Sequence, residues 1–202
     1  MPQSMEQHDH HACLQAFHHW MLDNSLSVGD PTKDPAFLPC EKLAAYFHAN
    51  DLENLNNLLV AIYEGEETQL TAKEILGQYS AVFCILVRIG KIKFLPCFVD
   101  KENLNDVHLP FTPTQRPSTF PIDANDTDFF DRFCAEQWRF CPPLMNATRK
   151  AFEKDHVLPF TSKAFIAEGA SADIYKITIH SAYNYLPDLV TLPACGSIIT
   201  YA

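Results

Sequence analysis

The sequence predicts a mainly α-helical protein, with a helical N-terminal body and a C-terminal β-hairpin. Three observations carry that expectation. Apolar side chains recur every three or four positions up to Gly90, the period of a helix face. Prolines 110, 113, 117 and 121 then interrupt the pattern among Thr and Ser. After Pro159 the spacing shortens and β-branched residues take over. The expected organisation is a helical domain over 10–105, a Pro-rich linker over 106–125, and helices plus the hairpin over 126–202.

The elements follow in order. Ala12, Cys13, Ala16, Phe17, Trp20 and Met21 form one stripe of a first helix. A polar loop from Gly29 to Pro39 leads to a short helix over Glu41 to Ala49. Asn50 and Glu53 have capping-box spacing ahead of Leu52, Leu55, Leu59 and Ile62, and Gly65 with Glu66 and Glu67 marks the stop. Thr71 and Glu74 repeat the capping pattern ahead of Ile75, Leu76, Tyr79, Phe83 and Leu86. Val82, Cys84, Ile85 and Val87 make that helix apolar nearly all round, which marks it as the central, buried one.

Residues 95–104 read as another short helix. A helix beginning near Asp126 to Asp128 carries Phe129, Phe130, Phe133, Cys134 and Trp138 and ends before Pro142 and Pro143. A further helix is expected from Leu144 to Lys154. Ala164 to Glu168 and Ala172 to His180 read as strands around a Gly169-Ala170-Ser171 turn.

Composition narrows the function classes. The chain has 202 residues, 47% of them hydrophobic, enough for a real core. Its net charge of −10 is the wrong sign for general nucleic-acid binding and is repelled by anionic membranes. The longest apolar run, Ala81 to Val87, is far below the roughly 20 residues of a spanning helix. The first fifteen residues are polar and His-rich without an apolar signal core, so an intracellular, cytoplasmic protein is expected. Seven cysteines without a CxxC fit reduced, mostly buried thiols, Cys134 and Cys141 included. The sequons at Asn125 and Asn146 are then chance matches.

The hairpin carries a resemblance. Ile166-Ala-Glu-Gly169-Ala-Ser-Ala172-Asp-Ile174-Tyr-Lys176-Ile is similar to the strand, Gly-loop and strand that open a protein kinase. The three glycine positions of that pattern are Ala167, Gly169 and Ala172 here, and Ile174 stands at the following valine. Gln137-Trp-Arg-Phe-Cys141-Pro-Pro, His156-Val-Leu-Pro-Phe160, His180, Tyr183-Asn184-Tyr-Leu186, and upstream Tyr79, Val82 to Leu86, Ile89-Gly90 and Leu109-Pro-Phe111 extend it. Together, over roughly residues 40–186, these resemble a fungal family in which a helical N-terminal region precedes a protein-kinase-like domain. The resemblance implies a fungal source, ATP binding and protein phosphorylation. It implies nucleotide contact by Ala167, Glu168, Gly169, Ala170, Ser171, Ala172 and Ile174.

Phosphoryl transfer also needs a strand-3 lysine, a catalytic-loop aspartate and metal-binding residues. No lysine or arginine follows Lys176, and Asp188 is the sole carboxylate after residue 180. Residues 187–202 resemble a substituted ending, so the expectation is a truncated kinase-like protein without phosphotransfer, its hairpin left with an exposed edge. Lys176 reads as a solvated strand lysine.

Two other readings stay open. The helical body is a candidate protein-interaction module, for a separate partner or for a kinase lobe supplied in trans. Alternatively, an unrecognised enzyme would use Cys–His chemistry and would need a low-pKa cysteine facing a histidine. His8, His10, His11, His18 and His19 form a cluster better suited to adventitious metal affinity than to a built site, with the first three in a flexible terminus. Tyr79, Phe83, Trp138 and Phe140 read as core aromatics, and Glu64, Glu66 and Glu67 as a solvated helix end.

Overall fold

The N-terminal spacing winds into a long helix, α1 (Gln3–Asn24), that buries Phe17 and Met21. The computed structural model describes residues 3–29, 35–63, 70–146, 152, 155–168, 173–186 and 198–200. The backbone at His8, His10 and His11 is helical and belongs to α1. The buried face of α1 is also shifted from the expected stripe. Cys13, Leu14 and Trp20 pack on the core, while Ala12 and Ala16 are exposed. Bulky side chains bury more apolar area than alanine, so they set the rotation of the helix.

Next come α2 (Cys40–His48), burying Leu43 and Phe47, and α3 (Glu53–Ile62), burying Leu55, Leu58, Leu59 and Ala61. The Asn50/Glu53 capping box does not form. Asn50, Asp51 and Leu52 all take positive φ (51°, 54° and 71°), and α3 starts with no side-chain cap. The connection between α2 and α3 is too short for an extended cap. Three left-handed residues reverse the chain instead, which Asn and Asp tolerate well. Asn54 Nδ2 closes the turn by donating to the Tyr46 carbonyl at 3.0 Å, and Leu52 packs on the core.

The second capping box does form, at the start of α4 (Ala72–Glu74). Thr71 Oγ1 accepts from the Glu74 N–H at 3.2 Å, and Glu74 Oε2 accepts from the Thr71 N–H at 2.8 Å. Those bonds hold the Glu74 carboxyl below its usual range. Thr71→Ala is expected to lower the melting temperature by about 2–4 °C, read by circular dichroism. An unchanged melt would show the box to be inconsequential.

The helix then widens into a π segment (Ile75–Tyr79) before resuming as α5 (Ser80–Arg88). Val82, Phe83, Cys84, Ile85 and Leu86 are all buried, so α5 is the central helix that its all-round apolarity predicted. Its end is a Schellman motif at Gly90, whose φ of +68° suits glycine. The Lys91 N–H reaches the Leu86 carbonyl at 2.8 Å, and the Gly90 N–H reaches that of Val87 at 3.2 Å.

The expected 95–104 helix is α6 (Leu95–Val99) followed by two 3₁₀ turns, Glu102–Leu104 and Asp106–His108. The Pro-rich stretch 106–125 is packed structure rather than a solvated tether. Phe111 and Phe120 are buried in the same core as α1 to α6 and α7 (Phe129–Gln137). Buried Gln137 fixes the stretch from the α7 side. Its amide exchanges two 2.7 Å hydrogen bonds with the Phe111 backbone and donates to the Cys134 carbonyl at 3.0 Å.

The helix expected over Leu144–Lys154 meets a strand, β1 (Met145–Asn146), parallel to β4 (Asn184–Tyr185). Tertiary pairing satisfies these backbone groups, and Met145 is buried against Phe160 and Ile177. The predicted hairpin is present as β2 (Phe160–Glu168) and β3 (Asp173–Ile179), antiparallel, with register shifts between Phe160 and Ser162 and between Phe165 and Ala167. A short β5 (Ile198–Thr200) pairs with the far side of β3, giving the order β2-β3-β5. The architecture is therefore mixed, a helical body with a small sheet. Among the described residues no helix is long and apolar enough to cross a membrane.

Candidate functional site

The residues that resemble a nucleotide loop stand on the distal hairpin. Ala167 pairs with Ile174 and Glu168 with Asp173. Gly169, Ala170, Ser171 and Ala172 lie outside the described residues. Glu168 and Asp173 put two carboxylates opposite each other, with no cation paired to either among the described residues. Lys176 is exposed opposite Ala164. Lys163 is exposed, with its Nζ 4.0 Å from the centroid of the Tyr175 ring. The described residues nearest the turn are thus the paired carboxylates, with Lys163 and Lys176 farther down the strands.

The foot of the hairpin is fastened to the helical body by a contact set not anticipated from sequence. Tyr183 Oη accepts from the Cys40 N–H at 3.1 Å, at the start of α2. His180 Nε2 stands 3.1 Å from Glu41 Oε1, and its Nδ1 accepts from the Ala182 N–H. Phe37 meets the rings of His180 and Tyr183 edge-on, each at 5.7 Å. Val157, Leu26 and Trp138 complete this second core. The anchored foot leaves the distal strands projecting, and β2 is exposed at nearly every position after Phe160.

A second constellation, also missed, sits at the π segment. Tyr79 departs from helical geometry (φ −132°, ψ 18°), so α5 begins with backbone donors that lack helical partners. Asp106 supplies the acceptors. Its Oδ2 takes the Ala81 N–H and its Oδ1 the Val82 N–H, both at 3.0 Å. Burial pushes this carboxyl up to about 6, against the pull of those amide hydrogen bonds. A half-buried carboxylate poised there is the kind of group found in functional sites, and equally in structural caps. No local motif marks it, because its donors lie 24 and 25 residues upstream.

Four of the six described thiols are raised above their ordinary value. Burial, reinforced by the charge of Asp106, raises Cys84 well above its ordinary value and Cys141 to about 12. Burial likewise pushes Cys134 up to about 12 and raises Cys13. Raised thiols are poor nucleophiles, so these four do not support the Cys–His reading. Cys40 and Cys97 are exposed, so the described thiols are less uniformly buried than the sequence suggested. His18 is lowered, by burial first and then by Arg88 and His19. Among residues whose side chains are described, no three His, Cys, Asp or Glu groups converge as a metal site.

The acidic surface is partly neutralised by a network at the end of α5. Lys91 Nζ lies 2.6 Å from Asp123 and 2.7 Å from Asp126, and Arg132 also pairs with Asp126. Arg88 and Arg139 converge on Glu136. These pairs hold the Asp123 and Asp126 carboxyls below their usual range and tie the Pro-rich stretch to α5 and α7. No known protein family, curated protein or solved structure matches the chain.

Proposed function

We propose that these residues form a protein-interaction unit of kinase-like descent that by itself transfers no phosphoryl group. The descent rests on the sequence resemblance alone. The interaction reading is carried by one observation: the outer strand β2 is unpaired along one side among the described residues and exposes Phe165 and Ile166, 60% and 49% accessible. An open edge with apolar side chains is a template for strand addition.

A second reading keeps residual nucleotide contact at the hairpin tip. Its support is the resemblance of the loop sequence, since the Glu168–Asp173 pair that frames the four-residue connection sets two carboxylates at its base. Calorimetry with ATP, with and without magnesium, separates the two. The expected result is no heat up to millimolar ATP. Saturable one-to-one binding that Gly169→Val abolishes would overturn the proposal and make the hairpin a working nucleotide site.

A further inference from the structure

We infer that β2 is a self-recognition strand, pairing antiparallel with β2 of a second copy of this chain about a two-fold axis at Phe165. The inference deepens the interaction reading above and rests on it.

A bulge at Ile166 sets which β2 side chains share a face. Lys163, Ala164, Phe165, Ala167 and Glu168 each have a partner on β3, namely Ile177, Lys176, Tyr175, Ile174 and Asp173, whereas Ile166 has none. Lys163 and Glu168 are five apart, so in a regular strand they would point to opposite faces. The extra residue returns them to one face, with Phe165 between them. The ring contacts agree: Lys163 Nζ and the Phe165 ring both meet Tyr175, at 4.0 and 5.7 Å.

About Phe165 the five ladder residues are thereby matched in the alanines and opposite in charge at the ends, Lys163 against Glu168. With Ile166 of each copy left out of the new ladder as it is from the one with β3, antiparallel pairing sets Phe165 on Phe165, Ala164 on Ala167, and Lys163 on Glu168, the last two occurring twice. A parallel in-register pair would instead set Lys163 on Lys163 and Glu168 on Glu168, which like-charge repulsion disfavours. The incoming Lys163 approaches a strand end where Glu168 and Asp173 stand opposite each other, the latter accepting from the Tyr175 hydroxyl at 3.1 Å. The far edge of β3 is taken by β5. The contact is isologous and closed, so it stops at a dimer. Two chains of net charge −10 repel at long range, but salt screens that beyond about 8 Å at physiological strength.

The test is sedimentation of the full chain from micromolar to millimolar concentration. The wild type is expected to show a monomer–dimer equilibrium. Lys163→Glu alone, and Glu168→Lys alone, should each weaken it at least about tenfold, since symmetry doubles each change. The double variant should restore it, an outcome that general surface stickiness would not give. A dimer insensitive to both single changes would overturn the proposal. So would a monomer throughout, and hydrogen exchange at β2 then separates the causes. Fast β2 exchange in that monomer would leave the interaction reading standing without self-pairing, whereas strong protection would mean the edge is covered within the chain and would sink both.

Discussion

Phe120→Ala is expected to destabilise the chain by about 3–5 kcal/mol, the usual cost of removing a fully packed phenylalanine. Phe120 lies inside the stretch whose prolines suggest a linker, yet it is 3% exposed. Its ring has Phe98, Phe111, Phe129, Phe130 and Phe133 around it at 4.8–6.3 Å, and the Arg116 guanidinium lies 5.3 Å from its centroid. A ring exposed on a tether would cost no more than about 0.5 kcal/mol when cut back. The two accounts thus differ several-fold, and a urea melt decides between them. Should the alanine variant fail to fold, Phe120→Leu keeps much of the volume and is expected to cost roughly 1–1.5 kcal/mol. A melt unchanged by either substitution would mean that the Pro-rich stretch does not share the helical core.

Asp106 is expected to make stability depend on pH in the sense opposite to ordinary acid denaturation. Its carboxyl moves from 3.8 to about 6 on folding. The folded chain therefore takes up the proton first as pH falls. The stabilisation this uptake supplies is complete below the unfolded value and is lost as pH rises through the folded one. The full span is roughly 3 kcal/mol at 1.36 kcal/mol per pKa unit. The stability difference between wild type and Asp106→Asn, read from urea midpoints, isolates the group from the other carboxylates. Relative to the variant, the wild type should gain stability between neutral pH and about pH 4. A flat difference would mean that Asp106 is well solvated. A difference falling in acid would mean that the amide hydrogen bonds outweigh the burial.

How much of this was legible in the sequence depended on how far apart the interacting groups lie. The Thr71 capping box spans three residues and formed as read. The same spacing at Asn50 and Glu53 failed, because the reversal between α2 and α3 imposed left-handed geometry on residues that the motif needs extended. The hairpin was legible because β-branched side chains on both sides of a small-residue turn favour a pleated pair. Its bulge at Ile166 was not, since one extra residue leaves composition unchanged while moving Glu168 to the other face.

The candidate sites divide in the same way. Ala167, Glu168 and Ile174 could be named because they are contiguous with a loop pattern. Asp106 and the Tyr183–Cys40 contact could not, since their partners lie 24 to 143 residues away.

By itself the sequence determined the apolar amount and period: a central helix between the Thr71 cap and Gly90 whose residues 82–86 are buried, and a strand pair after Pro159. Periodicity is a local property that any window of the chain expresses. Only the tertiary structure decided that the Pro-rich stretch belongs to the core, that Met145–Asn146 extends as a strand, and that a carboxylate sits at the π break. In each case buried backbone donors, acceptors and aromatic rings took the partners that the fold placed beside them.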